Sequence, residues 1–185
     1  VRRFGSVGKP LPGVRIEIDN SVQGSKEEDG EIVAYGENIM LGYHNLPEKT
    51  KETITADGGL RTGDLGHLDS EGYLYITGRV KEQYKLDIGE YVAPAPLEET
   101  LKLSAYIDQV MLYGFNRPNN VALIVAVMPA VEQYAQSNGI SGSGESLLNE
   151  SSIRDLFREQ LTLYGKDFKT FEHPQNFALL AEEWS

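Results

Sequence analysis

Polar and apolar positions follow one rhythm in the first part of this chain and another in the second. Val14-Arg15-Ile16-Glu17-Ile18 alternates strictly, the mark of a strand with one buried face. Glu31-Ile32-Val33-Ala34-Tyr35 reads as a second strand, and Tyr73-Leu74-Tyr75-Ile76 as another of aromatic and β-branched type that ends on Thr77-Gly78-Arg79. Residues 21–30 are polar and acidic and predict a loop or hairpin tip. Pro47-Glu48-Lys49-Thr50-Lys51-Glu52-Thr53 predicts a short helix with proline in its first turn and a solvated charged face. Past Arg79 the period changes. Pro94 and Pro96 open a helix over 97–103, and the apolar run 110–115 follows. A turn at 116–120 leads to the β-branched run 121–127, a buried strand. A helix runs from Pro129 to Ser137, and a Gly/Ser-rich loop covers 138–145. Ser151 then caps a helix in which Ile153, Leu156, Phe157, Leu161 and Tyr164 recur at helical spacing, a stripe read as core. Residues 177–180 close the pattern as a strand. The class this predicts is α+β: a β-rich part over 1–79, then a small α/β part over 80–185.

Between these parts lies a polar seam, residues 60–92, that concentrates the candidate chemistry. Asp64 sits in Thr62-Gly63-Asp64-Leu65-Gly66. Glycines on both sides predict a tight turn that presents the carboxylate, and an acceptor with two oxygens suits a vicinal diol such as a ribose. On local sequence alone, an aspartate capping its own turn is the commoner case. Arg79, at a strand end just past Gly78, can fork onto a phosphate or diol; the plain alternative is a surface ion pair of little energetic weight. Lys81 and Lys85 are four apart, but the β-type residues around them argue against a helix. Asp87-Ile88-Gly89-Glu90 predicts a hairpin turn where backbone could approach a ligand closely.

Charge sharpens that picture. The 185-residue chain carries a formal net charge of −11, which disfavours nucleic acid and anionic membrane as bulk partners. Arg79, Lys81 and Lys85 are then a local cationic cluster suited to one anionic ligand. The chain has no cysteine, which excludes disulfides and thiolate catalysis. His44, His67 and His173 show no metal-ligand spacing, so no metal site is assigned. No apolar run approaches the length of a spanning helix. The chain begins at Val1 and is expected to be an internal or C-terminal piece of something longer.

Several motifs in order carry a resemblance: Gly30-Glu31-Ile32, Gly36 and Met40-Leu41-Gly42-Tyr43; then Arg61-Thr62-Gly63-Asp64-Leu65-Gly66; then Gly78-Arg79-Val80-Lys81-Glu82, Lys85-Leu86 and Gly89-Glu90-Tyr91-Val92. Together they resemble the AMP-forming acyl-CoA synthetases of the adenylate-forming superfamily, in the form of the long-chain fatty acid branch. The resemblance implies that 1–79 is the distorted-barrel end of a large adenylate-binding domain and 80–185 a mobile C-terminal lid, truncated at its end. It implies fatty acid, ATP and CoA as substrates, with Mg²⁺ accompanying ATP on ligands outside this chain. Residue by residue it makes Asp64 and Arg79 nucleotide-binding, Lys81 the hinge, Lys85 a catalytic lysine of the thioester-forming arrangement, and Gly89 a backbone contact for CoA. The family's phosphate loop and its catalytic lysine after the last strand are not in this sequence, so the chain alone is expected not to turn over. A cytoplasmic protein is implied; a lipid substrate is compatible with peripheral membrane attachment, which nothing in the sequence encodes. Two other readings stay open: a ligase that passes the acyl group from acyl-AMP to a carrier protein, and a non-catalytic binding module.

Overall fold

The computed structural model describes residues 3–22 and 29–184. The polar tip expected over 21–30 lies largely outside the described residues. The chain divides into two compact units, Val1–Gln83 and Tyr84–Ser185.

The first unit is built on a four-stranded antiparallel sheet in the order β1-β2-β3-β4: β1 Arg15–Asp19, β2 Gly30–Tyr35, β3 Leu60–Leu68 and β4 Leu74–Arg79. Among the described residues this sheet is open. Ile32, Val33 and Leu65 are its buried apolar residues. Helix α1, Pro47–Thr53, has no buried residue, in keeping with its charged composition. β4 runs into a single 3₁₀ turn, Val80–Glu82. Lys81 is therefore not on an α-helix with Lys85, which lies in a strand.

The second unit begins with a two-stranded ribbon, β5 Tyr84–Lys85 and β6 Tyr91–Val92, closed by the expected turn: Leu86 N–H donates to Glu90 O at 2.8 Å, and Gly89 is left-handed at φ 93°. Helix α2, Pro94–Leu101, starts earlier than its apolar residues suggest, with proline in its first turn. A three-stranded sheet follows, with β7 Ile107–Tyr113 antiparallel and β9 Pro174–Leu180 parallel to the central β8 Asn120–Ala126. Helices α3 Met128–Ser137 and α4 Ser151–Gly165 supply the connection between β8 and β9. The core joins Leu97 and Leu101 of α2 to Ile124 and Ala126 of β8, and to Ile153, Phe157 and Leu161 of α4.

Two local expectations need correction. Ser151 does not cap α4: Glu150 holds the cap position and no side chain closes it. The preceding stretch is not wholly loop. Gly144–Asn149 forms a 3₁₀ helix boxed by Ser143 and Ser146, because Leu147 and Leu148 are drawn into the core, and its end leads straight into α4.

Candidate functional site

The centre of the first unit's site is a buried carboxylate. Glu31 is 6 % exposed, although it sits on a strand whose other residues are apolar. Its Oε2 accepts from Arg61 Nη1 at 2.6 Å, and its Oε1 accepts from the Gly63 N–H at 3.2 Å. Arg61 Nη1 also reaches Asp19 Oδ2 at 2.8 Å. These two carboxylates, Glu31 foremost, push the Arg61 guanidinium pKa up. The reason is that an ionised partner and a charge-assisted hydrogen bond both favour the cation. Beside them the Thr62 hydroxyl donates to Ile32 O at 2.9 Å and accepts from the Asp64 N–H at 3.1 Å. The backbone of 62–64 is thus held on both sides.

Asp64 does not lie in a turn. It is in the middle of β3, directly opposite Arg79 on β4. Gly63 is left-handed at φ 76° and the pairing slips between Leu65 and Gly66, so the glycines serve an irregular strand. Arg79 Nε and Asp64 Oδ1 form an ion pair at 3.0 Å, with the side chains 55 % and 32 % exposed. A pair this open contributes about 0–1 kcal/mol to stability; its larger effect is to orient both groups. A carboxylate can accept about four hydrogen bonds, so the ion pair with Arg79 leaves Asp64 acceptor capacity for a ligand.

Arg79 and Lys81 line a cleft of about 470 Å³ within this unit, together with Arg61, Thr62, Gly63 and Lys49. Lys49 lies over the Tyr43 ring, 4.4 Å from its centroid. Two of the residues expected to form a site, Asp64 and Arg79, are therefore in contact, and Lys81 shares the cleft with Arg79. Glu31, Arg61, Tyr43 and Lys49 were missed as site residues. No signal within the chain separates Glu31 from its other acids; its partners arrive only with β3.

Lys85 and Gly89 belong to the second unit. The Lys85 ammonium lies 5.4 Å from the Tyr91 ring centroid across the ribbon, at the range of a cation–π contact. Gly89 is exposed at the turn, and a Cβ there would meet nothing within 4 Å. Among the described residues, no group of three or more His, Asp or Glu side chains could hold a metal ion, and no helix is long and apolar enough to cross a membrane.

No family-level sequence profile matches the chain. Individual proteins do. Human long-chain-fatty-acid–CoA ligase 1 is 34 % identical over 189 residues, covering 98 % of this chain and 27 % of that protein. Human long-chain-fatty-acid–CoA ligase ACSBG1 is 44 % identical over 116 residues, 62 % of this chain and 16 % of its own length. The chain thus spans about a quarter or less of the curated relatives it matches. Among solved structures, the adenylation domain of a carboxylate reductase from Mycobacterium chelonae superposes with a TM-score of 0.74 at 25 % identity, covering 100 % of this chain and 28 % of that one. O-succinylbenzoate coenzyme A synthetase from Bacillus subtilis, in complex with AMP, gives 0.66 at 25 % identity, covering 97 % of this chain and 32 % of its own.

Proposed function

This chain belongs, as a segment, to the AMP-forming acyl-CoA synthetases, and we propose that it supplies the ribose grip and the hinge of a long-chain fatty acid–CoA ligase. In the first half-reaction a fatty carboxylate oxygen attacks the α-phosphorus of ATP. The bond to the β-phosphate breaks, and acyl-AMP and pyrophosphate result. In the second, the CoA sulfur attacks the acyl carbonyl carbon, loses its proton, and expels AMP. Asp64 accepts hydrogen bonds from the ribose hydroxyls, and Arg79 steadies the same sugar from the facing strand. Residues 1–79 are the end of the large adenylate-binding body, and residues 80–185 are the lid. Lys81, in the 3₁₀ turn Val80–Glu82, is the residue whose backbone rotates between half-reactions. Lys85 and Gly89 act in the thioester-forming arrangement, the lysine at the reacting groups and the glycine where backbone admits the pantetheine arm.

One observation carries the nucleotide reading: the 3.0 Å contact of two part-exposed, oppositely charged side chains from facing strands, with Arg79 on an open cleft. A carrier-bound thiol is the alternative acceptor. The relatives of higher identity favour CoA. The test is the full-length protein bearing this segment, assayed for AMP release with long-chain acid, ATP and either CoA or a carrier protein. CoA-dependent turnover is expected. Asp64→Asn should raise KM for ATP about 10–100-fold, the weight of a charge-assisted hydrogen bond, and leave KM for CoA in place. An unchanged KM for ATP would dispose of the ribose assignment. The 185-residue chain alone should release no pyrophosphate.

A further inference from the structure

We infer that Glu31 is a positioning residue for the nucleotide site, holding the Gly63 backbone so that Asp64 faces Arg79. The inference rests on the ribose reading of Asp64 and adds to it the group that sets Asp64 in place.

Glu31 is charged, buried at 6 % exposure, and set among apolar strand neighbours. Taking a carboxylate out of water is costly unless both oxygens are satisfied. Here each oxygen has its own partner, the Arg61 guanidinium and the Gly63 amide. The Arg61 bond answers the charge. The Gly63 bond is the one that does something for the site. Gly63 sits at φ 76°, a conformation a strand does not favour, and an N–H turned out of the regular ladder needs an acceptor. Glu31 is that acceptor. Asp64 follows Gly63 directly, and its own N–H is taken by the Thr62 hydroxyl. With the 62–64 backbone fixed at Gly63 and at Asp64, the Asp64 carboxylate meets Arg79 Nε at 3.0 Å. The ion pair is too exposed to hold that backbone by itself. The rigid part of the arrangement is therefore the buried Glu31 clamp, and the exposed Asp64–Arg79 pair is what it presents.

The test uses the full-length ligase carrying this segment. Glu31→Met removes the acceptor that Gly63 uses at similar side-chain bulk; Glu31→Gln, which leaves Gly63 a weaker, neutral acceptor, is the second variant should the first fail to fold, and should raise KM for ATP by a smaller factor in the same direction. Asp64→Asn and the double variant complete a cycle. KM is measured separately for ATP and CoA, AMP affinity by calorimetry, and Tm by scanning. A folded Glu31→Met protein is expected to show KM for ATP raised about tenfold, AMP weakened in step, and KM for CoA unmoved. With Asp64→Asn present, the second substitution should add little, since both act through one contact. A merely structural role would lower Tm and shift all kinetic constants together. An ATP effect from Asp64→Asn with none from the Glu31 variant, or full additivity of the two, overturns the inference. An effect from the Glu31 variant with none from Asp64→Asn overturns the ribose assignment instead, and silence from both overturns the two together.

Discussion

Asn120 offers the sharpest test of what holds the second unit together. It is 0 % exposed at the start of β8 and it makes three hydrogen bonds. Its Oδ1 accepts from the Tyr84 hydroxyl at 2.8 Å, and its Nδ2 donates to Phe171 O at 3.1 Å and Glu172 O at 2.8 Å. One side chain thus ties the first residue of the ribbon to the central strand and to the approach to β9. Gly114 is built around it: a Cβ there would lie 2.2 Å from Asn120 Oδ1. Asn120→Ala removes three bonds and strands two carbonyls and a half-buried hydroxyl. At about 1 kcal/mol for each group left without its partner, the loss is about 3 kcal/mol. Tyr84→Phe removes one bond and strands only the amide oxygen, about 1–2 kcal/mol. The two changes share that bond, so the double variant should cost about 1 kcal/mol less than their sum. Urea unfolding followed by circular dichroism gives all three values, and hydrogen exchange on Asn120–Ala126 and Pro174–Leu180 localises them. Strict additivity, or an Asn120→Ala loss below that of Tyr84→Phe, would refute the idea that this amide is the shared pin.

Three further outcomes follow from other contacts. Burial, and secondarily the charge of Glu98, push the Tyr84 phenol pKa up. The folded state therefore favours the neutral phenol; the stability this gives is complete below about pH 10, the unfolded value, and lost as pH rises through the folded one. Alkaline unfolding of Tyr84→Phe should accordingly be shallower than that of the parent above about pH 10, and equal slopes would contradict the assignment. Asp19 is held below the usual carboxylate range, first by the Ser21 hydroxyl and amide and then by Arg61. Its contribution is present above about pH 4 and fades as pH falls through the lowered value, so Asp19→Asn should flatten the acid limb of a stability–pH curve; an unchanged limb would show the bonds to be without effect. Gly66→Ala places a Cβ 2.1 Å from Tyr75 O on the facing strand and should cost about 3 kcal/mol or more. Gly89→Ala meets open space and bears only the left-handed penalty of about 1–2 kcal/mol. Comparable urea midpoints for these two would rule out close strand approach as the reason for Gly66.

The second unit was the more legible from sequence. Its runs are long and apolar, and the α4 stripe lands where a period of 3.6 puts it: Ile153, Phe157 and Leu161 join the core cluster and Leu156 is buried. What escaped was polar and short. The loop expected over 138–145 gives way at Gly144 to a 3₁₀ helix, because two adjacent leucines, Leu147 and Leu148, are drawn inward. The start of α2 depends on proline geometry at Pro94, not on the apolar residues that follow.

The site was legible in its members and not in its shape, and the glycines explain why. Glycine on both sides of Asp64 has two physical meanings: a turn that needs positive φ, or a strand whose neighbour comes too close for a Cβ. Here both occur inside one strand. Gly63 needs the left-handed region, and Gly66 lies against the Tyr75 carbonyl. A local reading sums the two glycines into a turn, because it does not see β4. The same blindness hides Glu31. In sequence it is one more acid in a chain of net charge −11; only the return of β3 beside β2 brings it Arg61 and the Gly63 amide. Asp64 stands out by its neighbours in the chain. Glu31, which accepts from the Gly63 amide beside it, stands out only by its neighbours in space.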